Sequence, residues 1–239
     1  MCNAKTHRHT RDELTRFANE LGLPFEPADL GEFETPRYRI GPRQRHAMFF
    51  VEDGGLRAQM ASFGMILSDP PQKPLFNNAR SDSLTAKYPW KMHLRRLCLI
   101  PADGFFEPEK EAQAKGTAPW RFYQRSDGGL FWMAGLYSRI KAEVADRETG
   151  ELVERTVYGY TVITTEAAPW LVVHNRMPVI FPDRETAAAY VTAERVPQDN
   201  LVTYTNNDFE SWRVGDAAKS WKSPNSSKLI EAVDQGGLL

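Results

Sequence analysis

Segments that read as β-strands are spread along the whole chain, and they do not alternate with helices in the regular way of βαβ units. The first lies at residues 46–51, and the Asp53-Gly54-Gly55 turn returns the chain into residues 56–60, where apolar and polar side chains alternate. Runs rich in β-branched, aromatic or aliphatic side chains predict further strands at residues 97–100, 120–124, 130–137 and 157–164. Strands scattered among a few helices favour an α+β fold built on antiparallel sheet.

Two segments read as helices with clear start signals. Thr10-Arg11-Asp12-Glu13 is a capping box, in which the Thr hydroxyl and the Glu carboxylate satisfy free amides at a helix start. Apolar residues follow at helical spacing, and Gly22 ends this helix. A second helix is predicted over residues 184–195, with Asp183 as its cap.

The remaining local expectations concern shorter segments. They are a loop leading into a short helix at residues 78–87 with Ser81 or Asp82 as its cap, a hairpin around residues 126–129, charged surface loops at residues 109–117 and 141–154, a short helix at residues 167–174, and a weakly ordered tail from Ser223. Each rests on local sequence alone.

Composition adds bounds on the class of protein. The chain has 239 residues and no linker rich in Pro, Ser or Gly, so we expect one domain over residues 1–222 and a tail at residues 223–239. Its 30 basic and 31 acidic residues give a net charge of -1, so any attraction for nucleic acid must be local. No apolar run approaches the ~18 residues of a membrane span, and the start lacks a signal-peptide core. Two distant cysteines form no disulfide framework, which favours a reducing cytoplasm.

Cys2 is the first unusual feature. A small second residue usually permits removal of Met1, which leaves Cys2 as the first residue of the mature chain. Its α-amine and thiol, with ordinary pKa values of ~7.7–8.0 and ~8.5, are then both partly nucleophilic near neutral pH. Aldehydes react with such a 1,2-aminothiol to give an imine, and the thiol then closes a thiazolidine ring. Taken alone, Cys2 can equally be an ordinary residue in a frayed terminus.

Three further segments carry polar residues suited to chemistry. Asn78-Ala79-Arg80-Ser81 offers an arginine and free amides for a phosphate, or else an ordinary helix cap. Glu107 follows two aromatic residues, a setting that suits general acid work, although an edge carboxylate facing water is the alternative. His174 is expected to end the predicted short helix, where the helix dipole favours imidazolium and a proton shuttle, or to be merely structural.

Taken together, these motifs resemble one family. Met1-Cys2, Asn78-Ala79-Arg80-Ser81, Gly104-Phe105-Phe106-Glu107 and His174-Asn175-Arg176-Met177-Pro178 are similar, in order and approximate spacing, to the SRAP family of SOS-response-associated peptidases, now understood as abasic-site processing proteins. The resemblance runs from residue 2 to about residue 205. Four motifs in order are a specific signal, whereas any one alone is weak.

The resemblance implies a single α+β domain with an antiparallel, β-barrel-like core, a few flanking helices and a groove for single-stranded DNA. It implies that mature Cys2 captures the aldehyde of an abasic site as a thiazolidine, with Asn78, Glu107 and His174 as active-site polar residues. Arg80 and Arg176 match the arginines that contact phosphate. The expected partner is single-stranded DNA containing abasic sites, bound by a cytoplasmic, DNA-associated monomer with no cofactor, no metal and no membrane contact.

The sequence departs from the family pattern near the expected groove. Asn3 and Ala4 replace the usual Gly-Arg, Phe63-Gly64-Met65 replaces Trp-Gly-Leu, Pro108 replaces Trp, and Asp82-Ser83 replaces Glu-Thr. These changes bear on DNA affinity and on the shape of the substrate. The nucleophile and its three polar partners are retained.

Basic runs and aromatic rings are consistent with a nucleic-acid groove. The basic runs are Arg37, Arg39, Arg43, Arg45 and His46, and then Lys91, His93, Arg95 and Arg96. The candidate rings for stacking on bases are Phe63, Phe76 and Trp90. Each run can also be a solvated face of the protein.

Two other functions remain open from the sequence. In the first, a cysteine peptidase uses the Cys2 thiolate, His174 as base and Asn78 as orienting group, cutting itself or other substrates. In the second, the protein binds single-stranded DNA without covalent chemistry. A metal site from Cys2, His7 and His9 fits no zinc spacing pattern. Within the leading hypothesis, a crosslinking enzyme with self-processing and lyase-type activity, Glu107 drives out water and His174 assists opening of the sugar ring.

Overall fold

The computed structural model describes residues 4–25, 33, 35–68, 76–109, 118–146 and 149–233. In this part of the chain the strands are β1 (Ala4–His7), β2 (Arg37–Ile40), β3 (Arg45–Glu52), β4 (Gly55–Phe63), β5 (Asn78–Arg80), β6 (Leu97–Ala102), β7 (Gly104–Pro108), β8 (Trp120–Arg125), β9 (Phe131–Ala145), β10 (Leu152–Glu166), β11 (Arg176–Pro178) and β12 (Phe209–Val214). The helices are α1 (Arg11–Asn19) and α2 (Arg184–Thr192).

Five strands close into a barrel in the order β10-β4-β3-β6-β9, because β9 also pairs with β10. β3 and β4 form one hairpin, and β9 and β10 form a longer one that pairs residues 135–145 with residues 152–162. A parallel pairing of β10 with β4, at Gly159 and Ser62, closes the ring. The prediction of an α+β fold with a β-barrel-like core is confirmed, although this one pairing is parallel.

A glycine permits the parallel closure. A Cβ on Gly159 would lie 2.5 Å from the carbonyl oxygen of Gly64, closer than real Cβ atoms come. The Gly64 N–H donates to the carbonyl of Tyr160 at 2.8 Å, so the two chains meet backbone to backbone. A larger residue at position 159 would push β4 away from β10 and weaken the closure.

A second, five-stranded antiparallel sheet lies beside the barrel in the order β12-β8-β7-β1-β2. Its strand β7 continues the chain of barrel strand β6 after Asp103. Phe105 and Tyr123 of this sheet share one buried cluster with Tyr160 and Met177 of the barrel side. Each fully buried large apolar side chain stabilises the fold by about 1.5–3 kcal/mol, so this cluster fixes the two sheets against each other.

Both predicted helix starts are confirmed. The Glu13 N–H donates to Thr10 Oγ1 at 3.2 Å, and the Thr10 N–H donates to the Glu13 carboxylate at 2.6 Å, which completes the capping box. At the second helix, the Thr186 N–H donates to Asp183 Oδ1 at 2.7 Å. Both helices pack on one side of the barrel, where Leu14 of α1 is fully buried.

Two expectations about β-hairpins and loops are wrong. The turn at residues 126–129 does not join a hairpin, because β8 pairs within the second sheet whereas β9 enters the barrel. Residues 141–145 and 152–154 form strand ends rather than a charged loop, and charges pair across the ladder. Lys141 Nζ lies 2.7 Å from Glu154 Oε1. Local charge misled the prediction because paired ions can line an exposed strand.

Three further expectations are corrected. Residues 78–80 form strand β5, and no side chain caps the 3-10 turn Ser81–Ser83 that follows. Residues 167–174 form turns instead of a helix. Of the predicted tail, residues 223–233 are described and pack against the rest of the protein, since Leu229 is buried and the Val233 N–H donates to the Arg213 carbonyl at 3.0 Å. Most of the predicted 109–117 loop lies outside the described residues.

Candidate functional site

Two arginines flank the end of β10 and share one carboxylate. β5 runs parallel to β10 and places Arg80 opposite Thr164, while antiparallel β11 places Arg176 opposite Glu166. Arg80 donates to both oxygens of Asp82, from Nη2 at 2.7 Å and from Nε at 3.2 Å. Arg176 Nη1 donates to the same carboxylate at 3.1 Å. We call this group the arginine pair: Arg80 and Arg176, bridged by Asp82.

The two arginines differ in exposure. The Arg80 side chain is 55% exposed, whereas that of Arg176 is 8% exposed and also donates from Nη2 to the Thr164 carbonyl. Burial lowers the pKa of Arg176, and Asp82 opposes that shift. The hydrogen bond from Arg80 lowers the pKa of Asp82, so the carboxylate stays ionised at neutral pH. The arginine pair therefore carries two positive charges and one negative charge.

Asn78 lies on the same strand as Arg80, two residues earlier, and opposite Val162 of β10. Residues two apart on a strand point to the same side. The half-buried Asn78 amide and the exposed Arg80 guanidinium therefore face one region. An amide does not titrate and offers both donors and an acceptor. Asn78 is thus suited to orienting a neighbouring group.

His174 lies just before Arg176 in a turn. Its Nδ1 lies 3.0 Å from the Arg176 backbone nitrogen, whose N–H donates to it when the ring proton is on Nε2. The Arg176 carbonyl lies 3.1 Å from the same Nδ1 and can accept a proton donated from it. Both charge states of the ring thus have a partner, which suits proton transfer. The helix-dipole argument for imidazolium is wrong, because no helix precedes His174.

Glu107 is fully buried on β7, with its backbone opposite Arg121 of β8. The alternative of an edge carboxylate facing water is therefore wrong. Burial raises the pKa of nearby Tyr123 to about 12, and the negative charge of Glu107 adds to the shift. On the other side of β7, Phe106 lies opposite Ala4 of β1. A buried carboxylate thus stands next to the strand with which the described chain begins.

Cys2 lies outside the described residues. The first described residue, Ala4, is fully buried on β1, the strand between β7 and β2. The other cysteine, Cys98, is buried in the barrel, and burial raises the pKa of its thiol well above the usual range. Cys98 is therefore an inert core residue, as its apolar surroundings in the sequence indicate.

Two of the three predicted stacking rings are not available to a base. Phe63 is 0% exposed and stacks on Tyr160, with 5.2 Å between ring centroids. Trp90 is 7% exposed and packs in the core beneath Phe76, which is only half-buried. The predictions for Phe63 and Trp90 are wrong because a ring that packs in the core looks the same in sequence as a ring that stacks on a base. Sequence reasoning missed Tyr88, which is exposed beside Phe76.

The first predicted basic run does not form a single solvated face. His46 is buried, and its Nδ1 lies 2.9 Å from the Nζ of buried Lys5. The His7 ring packs against it with 4.9 Å between centroids. We call Lys5, His7 and His46 the buried basic group. Burial lowers the pKa of both histidines well below the usual value, with the Lys5 charge as the next cause.

Among the residues that the structure describes, no three or more His, Cys, Asp or Glu side chains are arranged to hold a metal ion. In the same ranges, no helix has the length and apolar character needed to cross a membrane.

Comparison with known proteins places these features in a family. A family model described as SOS response associated peptidase (SRAP) matches residues 1–220. A solved protein from Bacteroides thetaiotaomicron has a TM-score of 0.72 at 18% identity, covering 97% of this chain and 100% of that one. One from Bordetella bronchiseptica has a TM-score of 0.64 at 21% identity, covering 90% and 100%.

A phage-related protein from Bordetella bronchiseptica also has a TM-score of 0.64, at 20% identity, covering 89% of this chain and 94% of that one. At these identities the likeness to solved structures shows the fold alone. The search of curated proteins returned no match.

Proposed function

The chain belongs to the SOS response associated peptidase (SRAP) family, and on this premise we propose that it captures abasic sites in single-stranded DNA. In this proposal Met1 is removed, Cys2 condenses with the aldehyde of the opened abasic sugar, and the covalent link shields the lesion. The observation that carries the proposal is the arginine pair next to His174, because paired guanidinium groups suit a sugar-phosphate backbone.

The anchoring of β1 supports a role for the start of the chain. Ala4 is buried and lies opposite Phe106, the residue before Glu107. Consecutive Cα atoms are ~3.8 Å apart, so covalent geometry keeps the Cα of Cys2 within about 8 Å of the Cα of Ala4. A nucleophile on so short a tether has lost most of its translational freedom before reaction, which favours attack on a bound aldehyde.

The proposed reaction is a condensation that releases one water. The neutral α-amine of Cys2 attacks C1′ of the open-chain sugar, forming a carbinolamine. The carbinolamine accepts a proton on its hydroxyl and loses water as a protonated imine, which returns one proton to the acid and leaves the neutral imine. The Cys2 thiol then adds to the imine carbon and gives up its proton, which the imine nitrogen takes to complete the thiazolidine. No oxidant or reductant is needed.

Each polar residue has one role in this sequence. Glu107, buried beside Phe106, supplies the proton that drives out water from the carbinolamine. His174 moves the proton that opens the closed sugar, using the ring nitrogen not bound to Arg176. Asn78 orients the sugar or the terminal amine, and the arginine pair holds the flanking phosphates.

A second candidate is a thiol peptidase that uses Cys2 and His174, as the family description names a peptidase. With its proton on Nδ1, donated to the Arg176 carbonyl 3.1 Å away, His174 has a lone pair on Nε2 that suits a base activating a thiol. In our proposal, the peptidase activity is limited to hydrolysis of the Met1–Cys2 bond. Separately, the imine formed during crosslinking can undergo a lyase-type elimination of the 3′ phosphate. The protein acts as a DNA-associated monomer in the cytoplasm.

The proposal is tested by mixing the protein with an abasic single-stranded oligonucleotide and running a denaturing gel without reductant. We expect a heat-stable band of protein joined to DNA, absent with undamaged DNA and absent for Cys2→Ala. Cys98→Ala is the matched thiol control and keeps the band, because Cys98 is buried and far from ionised. A heat-stable crosslink formed by Cys2→Ala would refute the thiazolidine, and no crosslink with processed wild type would favour the non-covalent binder.

A further inference from the structure

Asp82 occupies the place in the arginine pair where an anion from outside would bind. Its carboxylate accepts two hydrogen bonds from Arg80 and one from Arg176, at 3.2, 2.7 and 3.1 Å. These are the geometry and the charge assistance that arginines give to a phosphate. The side chain of Asp82 is 48% exposed, so solvent and a ligand can reach it.

The carboxylate also takes up the donors that a phosphate needs. The Nε and Nη2 of Arg80 form the fork edge of the guanidinium, and both point to Asp82. Arg176 uses Nη1 for Asp82 and Nη2 for the Thr164 carbonyl. Its Nε is buried and has no hydrogen-bond partner in the part of the chain that the structure describes. A backbone phosphate therefore makes its best hydrogen bonds only when Asp82 gives way.

We propose that Asp82 is a specificity-determining gate that weakens the hold of the arginine pair on undamaged single-stranded DNA. The inference rests on the proposed function, in which Arg80 and Arg176 contact phosphates. Undamaged DNA must displace the carboxylate or approach a like charge, and it gains nothing further. Abasic DNA meets the same barrier, but covalent capture at Cys2 makes its retention independent of it. The gate thus favours lesions over the excess of intact strand.

The hydrogen bonds argue against a purely structural role for Asp82. Arg176 also donates to the Thr164 carbonyl and is only 8% exposed, so we expect it to be held in place without Asp82. Arg80 ends a strand whose backbone pairs with β10. Both arginines therefore stay near their positions when the carboxylate is lost, and what changes is the net charge and the number of free donors.

The chain offers a matched control at another turn. Arg125 donates to Asp127 from Nε at 3.3 Å and from Nη2 at 3.2 Å, the same fork in the same Arg-x-Asp spacing. This turn lies at the other end of β8 from Arg121, the register partner of Glu107. Asp127→Asn therefore changes the same charge in the same local geometry, after a different strand from those that carry Arg80 and Arg176.

The experiment measures affinity for a labelled, undamaged single-stranded oligonucleotide over a series of salt concentrations. We expect Asp82→Asn to bind about 2- to 5-fold more tightly than the wild type, the equivalent of one exposed charge pair. Its affinity should also fall more steeply with salt, with the logarithmic slope larger by up to ~0.7 for each additional phosphate that the protein neutralises. Asp127→Asn should match the wild type, and Asp82→Glu should return the affinity toward it.

A second readout uses the covalent step. Undamaged single-stranded DNA added as competitor should slow crosslinking by Asp82→Asn more than it slows the wild type. If Asp82→Asn binds undamaged DNA no more tightly than the wild type, the gate is overturned. If Asp127→Asn tightens binding as much as Asp82→Asn does, the effect is one of net charge and the gate is also overturned. If Arg80→Ala and Arg176→Ala bind like the wild type, the premise about phosphates fails and the gate falls with it. If the Cys2-dependent crosslink still forms but Asp82→Asn binds undamaged DNA with the affinity of the wild type, only the gate is overturned.

Discussion

The protein contains two Arg-x-Asp turns with the same local geometry and opposite surroundings. In one, at the end of β5, Arg80 clasps Asp82, and in the other, at the end of β8, Arg125 clasps Asp127. The first carboxylate is shared with a second arginine, Arg176, at 3.1 Å. The second turn's arginine is shared with another carboxylate instead, Asp208, at 3.6 Å.

This difference sets the net charge of each turn. Two arginines and one aspartate leave one excess positive charge at the end of β10, whereas one arginine and two aspartates leave one excess negative charge at the end of β8. Local sequence produces the fork in both turns, but the third member arrives from a distant strand or loop. The difference in charge between the turns is therefore a property of the fold.

The largest expected effect is on the rate of crosslinking and comes from Glu107, which lies in neither turn. Glu107→Gln should slow crosslink formation by about 100- to 10,000-fold, the usual cost of removing a positioned acid, while affinity for undamaged DNA stays unchanged. Time courses with an abasic oligonucleotide and equilibrium binding with an intact one measure the two quantities. Crosslinking at the wild-type rate between about pH 6 and 8, a window around the ordinary pKa of histidine, would make Glu107 a structural residue and contradict the assignment.

His174 should affect the two directions of the reaction differently. Because the same residue that opens the sugar also assists its closure, His174→Ala should slow release of the crosslink at least as much as its formation, by about 100-fold or more. Release is followed by adding an excess of competing aldehyde-reactive aminothiol to the preformed crosslink. An unchanged release rate with slowed formation would show that His174 only helps the forward steps.

Substitution of Arg176 tests most directly whether the two turns differ in DNA binding. Arg176→Ala should weaken binding of undamaged single-stranded DNA by about 10-fold or more, the cost of losing a charged hydrogen-bond donor, and flatten the salt dependence. Arg125→Ala, which removes the arginine of the other turn, should leave both unchanged. Since Arg176 is buried, the melting temperature of its variant is compared with that of the wild type, and Arg80→Ala, at an exposed position, provides an independent test. Equal losses for Arg125→Ala and Arg176→Ala would contradict the distinction.

The buried basic group provides the smallest expected effect, on stability. Burial lowers the pKa of His7 and His46, so at mildly acidic pH the unfolded chain binds more protons than the folded chain. The free energy of unfolding is therefore highest, as far as these histidines are concerned, above pH ~6.5, the ordinary pKa of histidine. It falls as the pH drops below that value, by up to ~1.4 kcal/mol per pH unit for each histidine. The charged groups acting on the pair are Lys5, Arg8, His9 and Arg37, and nearby Asp103 is already bonded to Thr6 and Arg8.

Urea unfolding at about pH 7.5 and pH 5.5, on either side of that pKa, measures this dependence. His46→Gln keeps an acceptor for Lys5 and removes one titrating ring, so its stability should change about half as much between the two pH values. In the two exposed turns, neutralising Asp82 or Asp127 should leave the pH dependence of stability as it is in this range, because their pKa values are lowered further from it. An unchanged slope for His46→Gln would mean that other groups govern the acid response.

Beyond the fold class, the local features that the sequence predicted correctly are those decided by neighbours in the chain. The capping box of Thr10 and Glu13 and the cap at Asp183 need only residues three positions apart. The mispredicted features depend on distant partners. Phe63 is buried because β10 brings Tyr160 to it. The charged residues near Lys141 lie in a strand because β9 pairs with β10, where Glu154 forms an ion pair with Lys141.

The candidate site shows the same division. The motifs around Asn78, Glu107, His174 and Arg176 can be found in the sequence, and their residue types predict the chemistry. The position of Asp82 between two arginines cannot, because in the sequence Asp82 is a candidate helix cap and the same Arg-x-Asp spacing occurs again at Arg125. Only the arrival of Arg176 on β11 makes it a bridge between two arginines.

The central claim is covalent capture by Cys2, and intact mass tests it most directly. Wild-type protein lacking Met1, incubated with an abasic single-stranded oligonucleotide and then denatured with heat and without reductant, should gain the mass of the oligonucleotide less one water. Protein digestion should then place the adduct on the N-terminal cysteine. A protein that stays at its own mass, or an adduct mapped to any residue other than Cys2, would contradict the account.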